Sequence, residues 1–116
     1  MIDTFEYNIK TKNDYAVVTL NGPMTKDARE QLEQCHQDLM LFEAKNIILY
    51  FKEVLTLDAG IYRELTLLQQ DIRKKNKSLN LVGLCASKKQ ILVDKGVVRV
   101  TEVKTSLEEA LKLKVS

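Results

Sequence analysis

The sequence predicts an α/β domain: a mixed β-sheet with an N-terminal hairpin, parallel crossovers and about four helices packed on it, in the order ββαβαβαβα. Three observations carry this reading. Residues 5–10 alternate apolar and polar side chains, residues 15–20 are rich in β-branched ones, and the polar Lys12-Asn13-Asp14 between them supplies a hairpin turn. Beyond the hairpin, apolar runs of strand length take turns with segments whose apolar residues recur at steps of four and three. The third is size: 116 residues without a linker or an internal repeat make one domain, 1–116, able to bury roughly two-thirds of its unfolded surface.

Each later element has its own signals. Asn21-Gly22-Pro23 stops the second strand, since Gly frees φ and Pro removes a ladder donor. Thr25 is placed to cap the first helix, with Asp27 in its first turn. Ala28, Leu32, Cys35 and Leu39 then form one apolar face, to about Phe42. Residues 46–51, Asn-Ile-Ile-Leu-Tyr-Phe, read as a central strand covered on both faces. Asp58 is placed to cap a second helix with the stripe Ile61, Leu65, Leu68 and Ile72, and the run Arg73-Lys74-Lys75-Asn76-Lys77 closes it at the negative end of its dipole. Residues 79–84 form the next strand. Ser87-Lys88-Lys89-Gln90 has capping-box spacing for a short helix stopped by Gly96. Residues 97–103 read as a strand, with Val98 and Val100 alternating against Arg99 and Thr101. A second capping box, Ser106-Leu107-Glu108-Glu109, opens a last helix through Ala110 and Leu111.

Several function classes are excluded on composition. Eighteen basic and sixteen acidic residues leave a net charge of +2, too little to predict a nucleic-acid face. No apolar run approaches the ~18 residues of a membrane span, so no direct membrane insertion is expected. Cys35 and Cys85 stand fifty residues apart and no export signal opens the chain, which fits a cytoplasmic protein with free thiols. With one His and no Cys cluster, neither a metal nor another cofactor is expected. His36 neighbours Cys35, but adjacent helix positions diverge by about 100°, so the two do not form a nucleophile pair and His36 reads as a half-exposed surface residue. No phosphate-cradling glycine loop or nucleophile elbow occurs, and Glu108-Glu109 is explained by capping. The chain therefore reads as a non-enzyme. Its basic run reads as a solvated helix end, whereas Tyr50-Phe51 and Tyr62 fit either interface anchors or core.

The informative spot is Asp58-Ala59-Gly60. A small-residue helix start presents backbone N–H groups beside a carboxylate. That turn serves equally as a plain Asp cap or as a protein-docking point.

Over nearly its whole length the chain resembles the STAS family, named for sulfate transporters and anti-sigma-factor antagonists. The element order matches. Leu20-Asn21-Gly22-Pro23-Met24-Thr25 resembles the family's passage into its first helix. The run from Ile48 through Phe51 to Asp58-Ala59-Gly60 resembles its strand followed by an Asp-Ser-Ser/Ala-Gly signature, and Leu92-Val93-Asp94-Lys95-Gly96-Val97-Val98 resembles a later Leu-Phe-x-x-x-Gly-Leu turn. In bacterial members the serine after the signature aspartate is phosphorylated by a partner anti-sigma kinase, and the unphosphorylated antagonist binds that kinase.

Carried over by position, Asp58 matches the aspartate and Ala59 the phosphorylated serine, Gly60 matches the second small residue, and Ile61 stands where glycine is usual. Ala59 has no oxygen to phosphorylate. The nearest hydroxyl, Thr56, lies on the incoming segment, and Ile61 is expected to reshape the docking surface. The resemblance thus implies a non-enzymatic docking module in a partner-switching circuit, not switchable at Ala59. Its contacts would be Asp58, Ala59, Gly60, Tyr62, Arg63, Thr66, Met24 and Thr25. The implied partner is an anti-sigma factor or serine-kinase-type protein. Alternatives are a transporter ATPase, for a regulatory subunit of a lipid-transport ABC complex, and a stressosome-like scaffold. A monomer or weak dimer suits the mixed surface.

Overall fold

Alternation in the first two strands decides the architecture that follows. In the computed structural model, which describes residues 4–104 and 106, β1 (Glu6–Lys12) and β2 (Tyr15–Asn21) pair antiparallel, in register from Glu6↔Asn21 to Lys12↔Tyr15. Asn13 supplies the left-handed residue of the tight turn, at φ 56°. The chain then crosses over repeatedly: α1 (Arg29–Met40), β3 (Asn46–Glu53), α2 (Tyr62–Lys74), β4 (Ser78–Val82), α3 (Ala86–Asp94) and β5 (Val103–Lys104). The sheet order is β1-β2-β3-β4-β5, antiparallel only at the hairpin and parallel elsewhere.

Because each crossover steps to the next strand in the same direction, the helices collect on one face. The buried residues of that face form one cluster: Ala16, Val18 and Leu20 from β2, Ile47, Leu49 and Phe51 from β3, Leu79 and Leu81 from β4. Against them pack both predicted stripes, Leu32, Cys35 and Leu39 from α1 and Leu65, Leu68 and Ile72 from α2, with Leu92 from α3. Phe51 is therefore core, not an interface anchor. The opposite face carries a separate apolar group, Ile48 and Val82, with Tyr15, Val17 and Tyr50 around them.

Side chains lock the layers together. The Tyr7 hydroxyl donates to Asp38 Oδ2 at 2.5 Å, tying β1 to α1. Arg73 grips Glu102 with two nitrogens, at 2.6 and 3.1 Å, and Lys77 Nζ donates to the Phe42 carbonyl at 2.9 Å. Part of the basic run thus ties loops together and is not simply solvated.

Three sequence expectations are corrected. The strand placed at 97–103 shrinks to β5, because the Val97 N–H bonds the Leu92 carbonyl at 2.9 Å and so closes α3 instead of joining a ladder. Val97 and Val98 are buried as a loop, and a 3₁₀ turn, Val100–Glu102, leads into β5. Secondly, α3 starts at Ala86 after Cys85, so Ser87 lies inside the helix and its capping box does not form. Thirdly, α1 and α2 are each entered through a 3₁₀ turn, Lys26–Ala28 and Ala59–Ile61. The described residues hold three α-helices, and the last predicted helix, through Ala110 and Leu111, lies outside them.

Candidate functional site

Parallel strands leave the loops after β2, β3 and β4 on one rim, at the carboxyl end of the sheet, where open α/β sheets place their binding sites. Two of these loops continue the sheet as a narrow ladder. The Gly22 N–H bonds the Glu53 carbonyl at 3.0 Å, the Met24 N–H bonds the Thr56 carbonyl at 2.8 Å, and the Asp58 N–H returns to the Met24 carbonyl at 3.2 Å. Met24 and Leu57 form a parallel bridge. The loops after β2 and β3 are thus held as a pair.

Each ends in the same device. Thr25 Oγ1 accepts from the Asp27 N–H at 3.3 Å and opens the turn into α1. Asp58 Oδ1 accepts from the Gly60 N–H at 2.9 Å and opens the turn into α2. The two turns press together at Gly60, where an added Cβ would stand 2.9 Å from both Cβ and N of Lys26. A glycine is needed there for space.

The eight predicted contact residues divide on burial. Asp58, Ala59 and Arg63 are exposed; Thr25, Gly60, Tyr62 and Thr66 are partly so. Thr66 spends its hydroxyl on the Tyr62 carbonyl at 2.8 Å. Met24 is corrected: its side chain is fully buried, and it serves the rim through its backbone alone. Ile61 is corrected too. It lies at 0% exposure in the core and does not reshape the surface.

Leu55 is the residue that sequence reasoning misses. It stands 83% exposed on the loop before Asp58, between buried Val54 and exposed Thr56. Leu41, just after α1, is equally exposed, so exposure alone assigns neither leucine a role. Nothing local marks Leu55, since its neighbours Val54 and Leu57 are equally apolar and turn inward.

The other singled-out residues fall elsewhere. His36 Nε2 meets Asp71 Oδ2 at 2.8 Å and, with Arg29–Glu64 at 3.5 Å, ties α1 to α2 across an open groove. Arg63 edges this groove. Cys35 is buried, and burial, with the Asp38 charge adding to it, pushes its thiol up to about 12. Cys85 is the opposite case: exposed on the rim after β4, its thiol is drawn down to about 7 by the Ser87 hydroxyl at 3.3 Å, with the Lys88 backbone and charge helping. Alkylation follows the thiolate, so iodoacetamide should label Cys85 half-maximally near pH 7 and increasingly above it. Cys35 should stay unlabelled until the chain unfolds, and mass spectrometry of the modified peptides checks both. Among the described residues no three His, Cys, Asp or Glu side chains are grouped to hold a metal ion, and no helix is long and apolar enough to cross a membrane.

With this geometry in hand, the comparisons are informative on fold. No protein-family model and no curated protein sequence matches the chain. Solved structures do. An anti-sigma factor antagonist from Mycobacterium paratuberculosis superposes with a TM-score of 0.83 at 14% identity, covering 98% of this chain and 97% of that one. The phosphorylated form of the Bacillus cell-fate determinant SpoIIAA gives 0.72 at 14% identity, with 96% and 100% covered. A sulfate transporter family protein from Wolinella succinogenes gives 0.75 at 20% identity, with 90% and 87% covered. The chain has the STAS fold, shared with anti-sigma factor antagonists.

Proposed function

We propose that this protein is a non-enzymatic docking module that works as anti-sigma factor antagonists do, binding an anti-sigma kinase-type partner through the rim around Asp58-Ala59-Gly60. The observation that carries this reading is the turn itself. It is exposed at Asp58 and Ala59, braced from behind by the paired loops, and set at the positive end of α2 in an antagonist-like fold. Leu55 and Arg63 extend the contact on either side. The surface is built without a hydroxyl at position 59, so docking is not switched by phosphate there.

Affinity capture from soluble and detergent-solubilised native extracts, with wild-type and Ala59→Glu baits, tests this reading. An ATPase-type kinase held by wild type alone is the expected result. A transporter ATPase in its place would move the protein to the transport-complex reading, for which the sulfate transporter likeness speaks. Identical recoveries by both baits would put the site elsewhere.

A further inference from the structure

The sheet has one long open edge. β1 is its first strand, and among the described residues no backbone hydrogen bond outside the hairpin reaches residues 6–12. Asn13 and Asp14 form a two-residue turn, so Lys12 and Tyr15 aim their ladder groups at each other. Alternation then points the N–H and C=O of Thr11, Ile9 and Tyr7 out of the edge. Only charge guards it: β1 holds Lys10 and Lys12, but no Pro, and no bulge interrupts its register with β2. Beside it, past the end of α1, lies an open hollow of about 430 Å³ lined by Tyr7, Ile9, Asp38, Leu41 and Phe42.

We infer that this edge takes a second copy of the chain, β1 against β1, antiparallel about a two-fold axis at Ile9. The charges choose that occupant. With the whole strand overlapped, Ile9 faces Ile9, Tyr7 faces Thr11, Asn8 faces Lys10, and exposed Glu6 faces exposed Lys12 at both ends. The lysines that repel a basic strand are thus met by a carboxylate or an amide. Backbone geometry agrees, since the outward groups of Tyr7, Ile9 and Thr11 meet one another, and every outward N–H gains a carbonyl. Glu6 and Lys12 fall in the non-hydrogen-bonded pairs, where side chains stand closest. Tyr7 and Ile9 lie on the helix side of the sheet, so the two hollows come together across the axis and give exposed Leu41 apolar neighbours. The docking rims stay free. β2 runs antiparallel to β1, so the axis turns the rims of the two copies to opposite ends of one continuous sheet.

Sedimentation of the full chain tests this and should show a monomer–dimer equilibrium. Thr11→Pro removes one outward N–H at an exposed residue, leaves the hairpin ladder whole and should abolish the dimer. Glu6→Lys sets like charges together at both ends and should weaken dimerisation about tenfold. Adding Lys12→Glu should restore it, a recovery that a lost fold could not give. In the Cys85→Ser background, mixed Glu6→Cys and Lys12→Cys chains should form a disulfide-linked dimer under mild oxidation. Either variant alone should give little, because like positions lie about 20 Å apart in this register. A monomer at every concentration would overturn the inference and leave the edge to a strand from another protein. A dimer indifferent to Thr11→Pro and to the charge swap, or equal cross-linking of mixed and single variants, would overturn it as well.

Discussion

Alanine at position 22 is expected to destabilise the domain more than any other single methyl group added to its loops. Gly22 sits at φ +95°, and a Cβ there would stand 2.6 Å from the Thr4 carbonyl oxygen and 3.0 Å from Phe5 Cα. Both obstacles are backbone, so neither moves aside cheaply. Gly22 also supplies the first rung of the paired loops, through its N–H to Glu53. A left-handed conformation and a backbone clash together should cost about 2–4 kcal/mol. The thermal midpoint should accordingly fall by about 10 °C or more. Gly96 is the control: its φ is +71°, but nothing lies within 4 Å of the place its Cβ would take. Gly96→Ala should therefore cost only about 1 kcal/mol, for conformation alone. Urea unfolding of the two variants measures the difference, and equal losses would mean that contact at Gly22 is unimportant.

Serine at position 59 has the largest expected effect on regulation. The position is exposed, directly follows the Asp58 cap and opens the turn into α2. A phosphate there would bring close to two negative charges to the positive end of a helix, beside the Asp58 carboxylate. Given a kinase-type partner, Ala59→Ser should accept phosphate and lose its grip on that partner once modified, whereas wild type should stay unmodified at this position. Intact-mass spectrometry after incubation with the partner and ATP reads both. Modification of wild type at Thr56 instead would show that the switch had moved along the loop.

How much of this can be read from the sequence depends on range. The stripes of α1 and α2 are legible because helical periodicity is local, and all eight of their apolar residues are buried. Thr25 and Asp58 are legible as caps for the same reason. Residues 97–103 mislead because β-branched alternation imitates a strand, while a single carbonyl, that of Leu92, fixes the start of the segment as a helix end. Met24 and Leu55 are beyond reach. Which of two apolar loop residues turns inward is decided by the pairing of two loops about thirty residues apart. The His36–Asp71 tie likewise needs the packing of α1 on α2 before it can be seen. Cys85 gives no signal of its own, because its acidity comes from where α3 begins, one residue later than the thiol itself.

If the turn at Asp58-Ala59-Gly60 is the docking surface, one titration should show it. The captured partner, purified, is titrated against wild type, Ala59→Glu and Gln37→Glu, the last an exposed site on the far part of α1. A bulky charge at the centre of an interface typically costs about 3 kcal/mol or more, roughly a hundredfold in affinity. That loss is expected for Ala59→Glu at unchanged thermal stability, with Gln37→Glu binding as wild type does. Equal affinity of Ala59→Glu and wild type would contradict the docking role and move the surface off this turn.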